Sequence, residues 1–454
     1  MAKKEALKER LSAIVGNDRY ADCARDLSPY ATCLWPVADG KPVCVVRPSN
    51  RNQIQHIMLA ANDLDMNVVP VSSTGPRVRG DSVPTGEGIV VDLSSMDKII
   101  RVDGKNNVAM IEPGVHFAEL KAAVERQDMK LFMPLLPRPT KSVLASYMER
   151  EPVTIPKYHW DMMDPVLSTE IVFGNGNAMR TGSACGPGSL EEQWKHGLAQ
   201  KNNEGPAQTS YGRVVQGAQG TYGIVTWISL RLGMKPRLNN YYFAPDTSLE
   251  RLIEFAYKVS RLKYADEFFI LNAQALATML GKDASEIKTL RARQAPWTAV
   301  YNVCGYRHFP EKRMLYQEKG IMEFAQLTGV KIDRAVIGAS AAKIQDIVEN
   351  PCEGTYWKER AQGGYREVFF LTTLDKAPGF VAKAREVAVK FKYPAEEIGI
   401  YLQPVLQGRI CHCEFTFTHD TGSDKAVMNA DRMFTEMSKV MLDAGAYYSR
   451  RHPA

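Results

Sequence analysis

The sequence predicts an α+β fold in two parts: a first part over residues 1–235, then an α+β cap domain over 236–454 built on an antiparallel sheet. Three observations predict it. Short β-rich runs and amphipathic stretches follow one another through the first 125 residues in the order β-α-β-loop-β-β-α. A glycine-punctuated segment, Val214 to Leu232, ends at Met234-Lys-Pro-Arg237, a breaker that reads as a domain junction. Beyond it, strands alternate with longer amphipathic helices, with no short-period repeat.

Val43-Cys-Val-Val-Arg-Pro48 is a short strand, and Ser49 is placed to cap a helix carrying Gln53, Ile54, Ile57, Met58 and Ala61 at helical spacing. Val68-Val69 is the next strand, and Gly88-Ile-Val-Val-Asp-Leu93 the one after. Between them lies Pro70-Val-Ser-Ser-Thr-Gly-Pro-Arg-Val-Arg-Gly80, which combines small residues, hydroxyls and two arginines. Small side chains let a main chain bring its N–H groups onto a bound anion, so this loop reads as a pyrophosphate cradle for a nucleotide cofactor. An ordinary Gly/Pro surface turn has the same composition. Val108 to Glu112 is a strand, turned by Pro113-Gly-Val115 into a helix carrying Phe117, Leu120, Ala123 and Val124.

A second stretch starts near Leu131. It holds Ser142–Glu149, a Pro-rich aromatic segment from Pro152 to Met163, and a hairpin, Thr169–Phe173 to Ala178–Thr181, around a Gly174-Asn-Gly-Asn turn. Gly220 and Gly223 flank Thr221 and imply a close backbone approach. In the cap, helices are expected at Ser248–Leu262, Glu311–Leu327, Gly379–Phe391 and Asp424–Ala444. Strands are expected near Tyr241–Phe243, Ala299–Cys304, Glu367–Leu371, Gly399–Pro404 and Ile410–Thr418.

Bulk properties narrow the function. Hydrophobic residues make up 45% and charged residues 24% of 454, the balance of a globular enzyme. A net charge of +6, dispersed along the chain, argues against nucleic acid as a partner. No run of 18 apolar residues exists to span a membrane, and the charged start M-A-K-K-E-A-L-K-E-R lacks the apolar stretch of a secretory signal. The eight cysteines form no C-x-x-C and fit a reducing cytoplasm. Cys411-His412-Cys413 has the composition of a metal site. On a strand, however, His412 faces away from both thiols, so no metal is expected.

Several segments in order resemble the flavin domain of the vanillyl-alcohol oxidase and p-cresol methylhydroxylase (PCMH-type) superfamily. They are R-P-S-N at 47–50, S-S-T-G-P-R at 72–77, G-I-V-V-D-L-S-S-M at 88–96, I-E-P-G-V at 111–115, S-V-L-A-S-Y-M-E-R at 142–150 with I-P-K-Y-H-W-D-M-M at 155–163, E-I-V-F-G-N-G-N-A-M-R-T-G at 170–182, and G-T-Y-G-I-V-T at 220–226. The C-terminal half resembles the family's substrate cap more loosely. The resemblance implies an FAD-dependent dehydrogenase or oxidase acting on CH–OH or para-alkyl phenol groups, by hydride transfer to flavin N5. It places FAD against Ser72, Ser73, Thr74, Gly75, Pro76, Arg77, Ser142, Val143, Ser146, Gly220, Gly223 and Ile224.

The chain departs from the family pattern in four places. No His, Cys or Tyr stands between 71 and 80 to bond a flavin covalently from the loop, which leaves His412 or Cys411 as donors. The family's aspartate position falls on His159, with Asp161 two residues on. The metal segment of the 2-hydroxy-acid dehydrogenase branch is replaced by R-I-C-H-C-E-F. The chain stops at Arg451-His-Pro-Ala without the family's tail, so the resemblance implies that a partner subunit covers the cofactor.

The chemistry needs a base for a substrate O–H and a group to hold an anionic oxygen. His159 and Asp161 are candidates for the first, His for its near-neutral pKa; a loop His and a loop carboxylate without a task are the plain alternatives. Tyr447, Tyr448 and Arg450 resemble the family's tyrosine–arginine pair that holds a phenolate. Tyr401, Gln403, His412 and Glu414 are placed to line one face of the cap sheet. A small phenolic or anionic alcohol is the expected substrate. The alternatives are a flavin subunit of a glycolate- or lactate-type 2-hydroxy-acid dehydrogenase complex, and a non-catalytic electron-transfer or scaffold subunit. A homo-oligomer or a place in an electron-transfer complex is expected.

Overall fold

The computed structural model describes residues 2–31, 41–75, 83–84, 86–156, 165–204 and 210–450. The chain forms two compact units. One takes Met1–Leu131, Pro139–Glu151 and Met163–Met234; the other takes Phe132–Arg138, Pro152–Met162 and Lys235–Ala454. Two short segments from the first half of the sequence therefore fold with the second half.

The first unit runs α1 (Ala2–Val15), β1 (Tyr20–Ala21), α2 (Ala24–Ala31), β2 (Lys41–Val46), α3 (Arg51–Asp63), β3 (Asn67–Val71), β4 (Glu87–Asp92), β5 (Ile99–Asp103), β6 (Val108–Ile111), α4 (Phe117–Glu125), β7 (Met129–Lys130), α5 (Val143–Met148), β8 (Val166–Phe173), β9 (Ala178–Arg180), α6 (Leu190–Lys195), α7 (Gly212–Val215), β10 (Gly223–Arg231) and β11 (Gly233–Met234). Its first sheet has the order β1-β2-β4-β3, parallel through β2, β4 and β3. The crossover α3 between β2 and β3 buries Ile54 and Ile57 with Leu7 and Leu11 of α1 and Ile89 and Val91 of β4. Asn50, not Ser49, caps α3: its side chain accepts from the Gln53 amide at 3.0 Å, while Gln53 accepts from the Ser49 amide at 2.7 Å. The second sheet, β5-β6-β10-β8-β9, is antiparallel. The β8–β9 hairpin pairs Glu170 with Arg180 through Val172 with Ala178, so the expected Gly-Asn turn sets the register.

The second unit runs β12 (Leu238–Asp246), α8 (Leu249–Arg261), β13 (Phe268–Asn272), α9 (Ala273–Leu280), α10 (Ala284–Arg293), β14 (Trp297–Gly305), α11 (Pro310–Thr328), a ribbon of β15 (Ala335–Val336) and β16 (Ala339–Ser340), α12 (Ala341–Glu349), β17 (Gly363–Thr372), α13 (Ala377–Lys390), β18 (Gly399–Val405), β19 (Ile410–Asp420) and α14 (Asp424–Asp443). Six strands make one antiparallel sheet, β12-β14-β13-β18-β19-β17. The mixed α+β class and the antiparallel cap sheet both stand as the sequence predicts. Strand β13 and helices α9, α10 and α12 are not in the predicted set. Phe268 to Asn272 is a five-residue run with no period to separate strand from helix, and the helices after it are short.

Strand alternation splits this sheet into two different faces. On one, Phe370 meets Phe380 of α13 at 4.7 Å between ring centroids, and Phe268 meets Phe255 of α8 at 6.2 Å. Cys411 and Cys413 share that buried face with Leu402 and Phe415. The opposite face carries Phe269, Leu271 and Tyr401, packed with α9, α10 and α12 at the β12–β13 end. At the β17–β18–β19 end it carries a set of polar and ionisable side chains, all of them buried.

Candidate functional site

The polar end of that face is built by register. Tyr401 lies opposite Glu414 and Gln403 opposite His412 across β18 and β19; Phe369 lies opposite Glu414 and Leu371 opposite His412 across β17 and β19. The His412 ring stacks on Phe369 and meets Tyr401 edge-on, each at 5.9 Å. Tyr401 donates its hydroxyl to Gln403 Oε1 at 2.7 Å. Gln403 in turn donates Nε2 to the Phe268 and Pro404 carbonyls at 2.9 Å, which fixes both side chains.

An ionic network underlies this face. Lys358, in the 3₁₀ turn Trp357–Glu359, bonds Glu367 Oε2 at 2.5 Å and also Glu414 Oε1. The other oxygen of Glu414 meets His412 Nε2 at 3.3 Å, and Thr416 donates to Glu414 Oε1 at 3.3 Å. Burial works against the charge on Lys358, but the two glutamates outweigh it and hold its pKa well above the usual lysine value. Burial likewise opposes ionisation of Glu414, yet the Lys358 charge and the His412 bond keep its pKa well below the usual carboxylate range. Burial lowers the pKa of His412, with partial compensation from Glu414. At neutral pH the imidazole is therefore neutral beside an ionised carboxylate. Because a carboxylate only accepts, His412 Nε2 must carry the proton, which leaves Nδ1 as the lone-pair nitrogen.

Two arginines flank this network. Arg138 bonds Glu359 at 2.7 Å and the Tyr365 hydroxyl at 2.9 Å, and its guanidinium lies 4.3 Å from the Tyr356 ring centroid. Arg450 is buried with its guanidinium 3.7 Å from the Phe369 ring centroid, on the His412 side of β17. The neighbouring Tyr448 goes the other way. It packs against Phe370 at 5.8 Å and donates its hydroxyl to the Ser438 carbonyl of α14 at 3.0 Å. Tyr447 is exposed and pairs its backbone with Leu371. The structure thus brings Arg450 within electrostatic reach of His412 but places Tyr448 on the helix-covered face. His159 and Asp161 lie outside the described residues.

Sequence reasoning missed Lys358, Glu367, Arg138, Tyr356 and Tyr365. The available signal was Glu367, which alternation places with Glu414 on one face of a buried sheet. Two such carboxylates need a cation, and the chain could supply it from anywhere.

In the first unit the predicted cofactor segments come together. The Ser142 amide donates to Ser73 Oγ at 3.0 Å and the Thr74 amide to the Thr140 carbonyl at 3.2 Å, tying the loop after β3 to the start of α5. A Cβ on Gly220 would lie 3.7 Å from Pro70, so Gly220 sits beside the end of β3. Ser142 Oγ bonds the Pro113 carbonyl at 2.5 Å and caps α5, and Ser146 Oγ bonds Glu151 at 2.5 Å, so both hydroxyls serve the fold. Val143 and Ile224 are core residues. Gly223 has φ +154°, and a Cβ there would collide with the Val172 carbonyl across the sheet, so its glycine requirement arises within the fold. A Cβ on Gly75 would meet no described atom within 4 Å. Pro76 and Arg77 lie outside the described residues. The described part of this loop carries small side chains, and no described atom lies within 4 Å of a Cβ at Gly75, an arrangement that fits a dinucleotide phosphate approached by backbone.

Comparison with known proteins agrees with both parts. Residues 42–182 match the FAD binding domain family. The glycolate oxidase subunit GlcD of Bacillus subtilis is 27% identical over 232 residues, 51% of this chain and 45% of that protein. The 4-cresol dehydrogenase [hydroxylating] flavoprotein subunit of Pseudomonas putida is 26% identical over 235 residues, 50% of this chain and 42% of that protein. The aligned regions thus span less than half the length of these curated relatives. The crystal structure of p-cresol methylhydroxylase with substrate bound superimposes with a TM-score of 0.82 at 17% identity, covering 99% of this chain and 89% of that one. Among the described residues no helix is long and apolar enough to cross a membrane. The chain therefore contains an FAD binding domain at residues 42–182 and, along nearly its whole length, has the fold of p-cresol methylhydroxylase.

Proposed function

We propose that this protein is an FAD-dependent oxidoreductase that oxidises a small phenolic or anionic alcohol, with His412 taking the hydroxyl proton and Arg450 holding the anionic oxygen. The observation that carries this reading is the buried His412, held between Phe369 and Tyr401 with its Nε2 on Glu414. FAD, held by the Ser72–Gly75 loop and the 142–146 and 220–224 segments, supplies the two-electron acceptor. His412 Nδ1, bonded to no described residue, is the lone pair that receives the proton. Glu414 then stabilises the imidazolium. Arg450 brings a permanently charged planar fork to the same patch, suited to a phenolate or carboxylate oxygen. Phe369, Tyr365, Tyr356 and Tyr401 give this surface an aromatic character that favours a phenol over an aliphatic acid. Free cysteines at the seven described positions suit a cytoplasmic location.

A second reading is a flavin subunit of a 2-hydroxy-acid dehydrogenase complex, supported by the likeness to a glycolate oxidase subunit and to a flavoprotein subunit. The deciding experiment mixes the FAD-loaded protein, without oxygen, with para-alkyl phenols and separately with glycolate and D-lactate. Bleaching of the flavin by a phenol supports the first reading and bleaching by a hydroxy acid the second. A flavin that stays oxidised with both classes overturns the enzyme assignment.

Arg450→Lys tests the anion site. The change keeps the charge and loses the stacked fork, so KM is expected to rise by roughly tenfold, about 1.4 kcal/mol, with flavin content unchanged. An unaltered KM removes Arg450 from the substrate site.

A further inference from the structure

We propose that Lys358 is a positioning residue: by bridging Glu367 and Glu414 it sets the state of Glu414, which in turn fixes His412 with Nε2 protonated and Nδ1 open as the proton acceptor. This deepens the oxidoreductase reading above and rests on it only for the role of the accepted proton.

Glu367 on β17 and Glu414 on β19 project from the same sheet face and are 3% and 6% exposed. Two carboxylates this close in a dry setting would share one proton, as one would have to be neutral. Lys358, 5% exposed, reaches both. It approaches from outside the sheet, from the Trp357–Glu359 turn, with its ammonium 5.1 Å from the Trp357 ring centroid. The ammonium occupies Oε1 of Glu414 and leaves Oε2 for His412.

The neighbours of His412 complete the picture. Glu414 lies on its own strand, Tyr401 on β18 and Phe369 on β17; Glu367 and Arg450 act on it at longer range, with opposite signs. If the lysine charge were absent, the pair of carboxylates would bind an extra proton. It would rest either between them, so that Glu414 could donate to Nε2 and reverse the tautomer, or on His412 itself. Either result removes the Nδ1 lone pair at neutral pH. A fully buried lysine linked to two acids is a costly arrangement, and its effect on the tautomer gives it a task beyond packing.

Two variants with opposite expected signs test this. Lys358→Met removes a cation and raises the proton affinity of the Glu367–Glu414–His412 group. The acid limb of the flavin-reduction rate is expected to move up by about one pH unit, a tenfold change in proton affinity. Glu414→Gln removes the counter-ion of the imidazolium, and the limb is expected to move down by a similar amount. Damage to packing alone would not shift the limb in opposite directions. A second readout needs no substrate. In protein labelled with ¹⁵N-histidine, the His412 resonance, assigned by its loss in His412→Asn, is expected to show a protonated Nε2 and bare Nδ1 at neutral pH. Lys358→Met is expected to lose that pattern or to titrate at higher pH.

An unchanged tautomer and titration in Lys358→Met overturns the proposal. Where Lys358→Met fails to fold, Glu414→Gln decides it, and an unmoved His412 titration there overturns it equally. If the resonances behave as expected while no substrate bleaches the wild-type flavin, the oxidoreductase reading fails and the Lys358 assignment stands.

Discussion

Gly75→Val is expected to yield a folded protein that no longer retains FAD. The outcome divides in this way because of where a Cβ would go at that position. Gly75 does not adopt a positive φ, and an added side chain there meets no described atom within 4 Å. The change therefore strains nothing in the described fold, and by restricting the unfolded chain it even favours folding slightly. What a branched side chain would occupy is the space that a phosphate must enter to reach the loop amides. The expected loss is at least a hundredfold in FAD affinity, about 2.7 kcal/mol, with thermal stability of the cofactor-free protein within about 0.5 kcal/mol of wild type. Flavin content after gel filtration and a melting curve without cofactor read the two halves separately. Normal flavin retention would show that the cradle lies elsewhere.

His412→Asn is expected to give the other large effect, this time on chemistry with the flavin still bound. A positioned base contributes about 10²- to 10⁴-fold, so the rate constant for anaerobic flavin reduction is expected to fall by that order. The sign of the pH dependence follows from burial. Desolvation disfavours the imidazolium and Glu414 restores only part of it, so His412 protonates below its ordinary value. In the wild type the rate is expected to be level at pH 7 and to decline only on acidification below about 6.5. In the variant that decline is expected to vanish. Glu414 keeps its lysine, so the network beneath is not left with a buried charge lacking its partner. A variant with the same rate and the same acid limb would dismiss His412 as the acceptor.

Much of this molecule is legible in its residues, and the parts that are not share one cause. The order β2-α3-β3-β4 follows from apolar runs separated by one amphipathic helix, and the β8–β9 hairpin from its Gly-Asn turn. Both are local signals. The opposition of His412 to its flanking thiols was readable because a strand alternates. By contrast, Tyr448 and Arg450 belong to one short motif, yet the structure sends them to opposite faces: Tyr448 to Phe370 and the Ser438 carbonyl, Arg450 to Phe369. No local pattern distinguishes them, because the direction of the chain past the β17 edge is set by pairing with Leu371.

The sequence by itself determined the class of fold, the antiparallel cap sheet and the stretch that holds the FAD binding domain. Each of these is written in spacing, turn residues or glycine placement within a few residues of where it acts. Only the tertiary structure decided that Lys358, Glu367, Glu414 and His412 form one buried network, and that Arg138 joins Glu359 and Tyr365. Those residues lie up to 227 positions apart, and a charge out of water accepts any partner that the packing delivers to it. Chain proximity carries no information about which partner that will be.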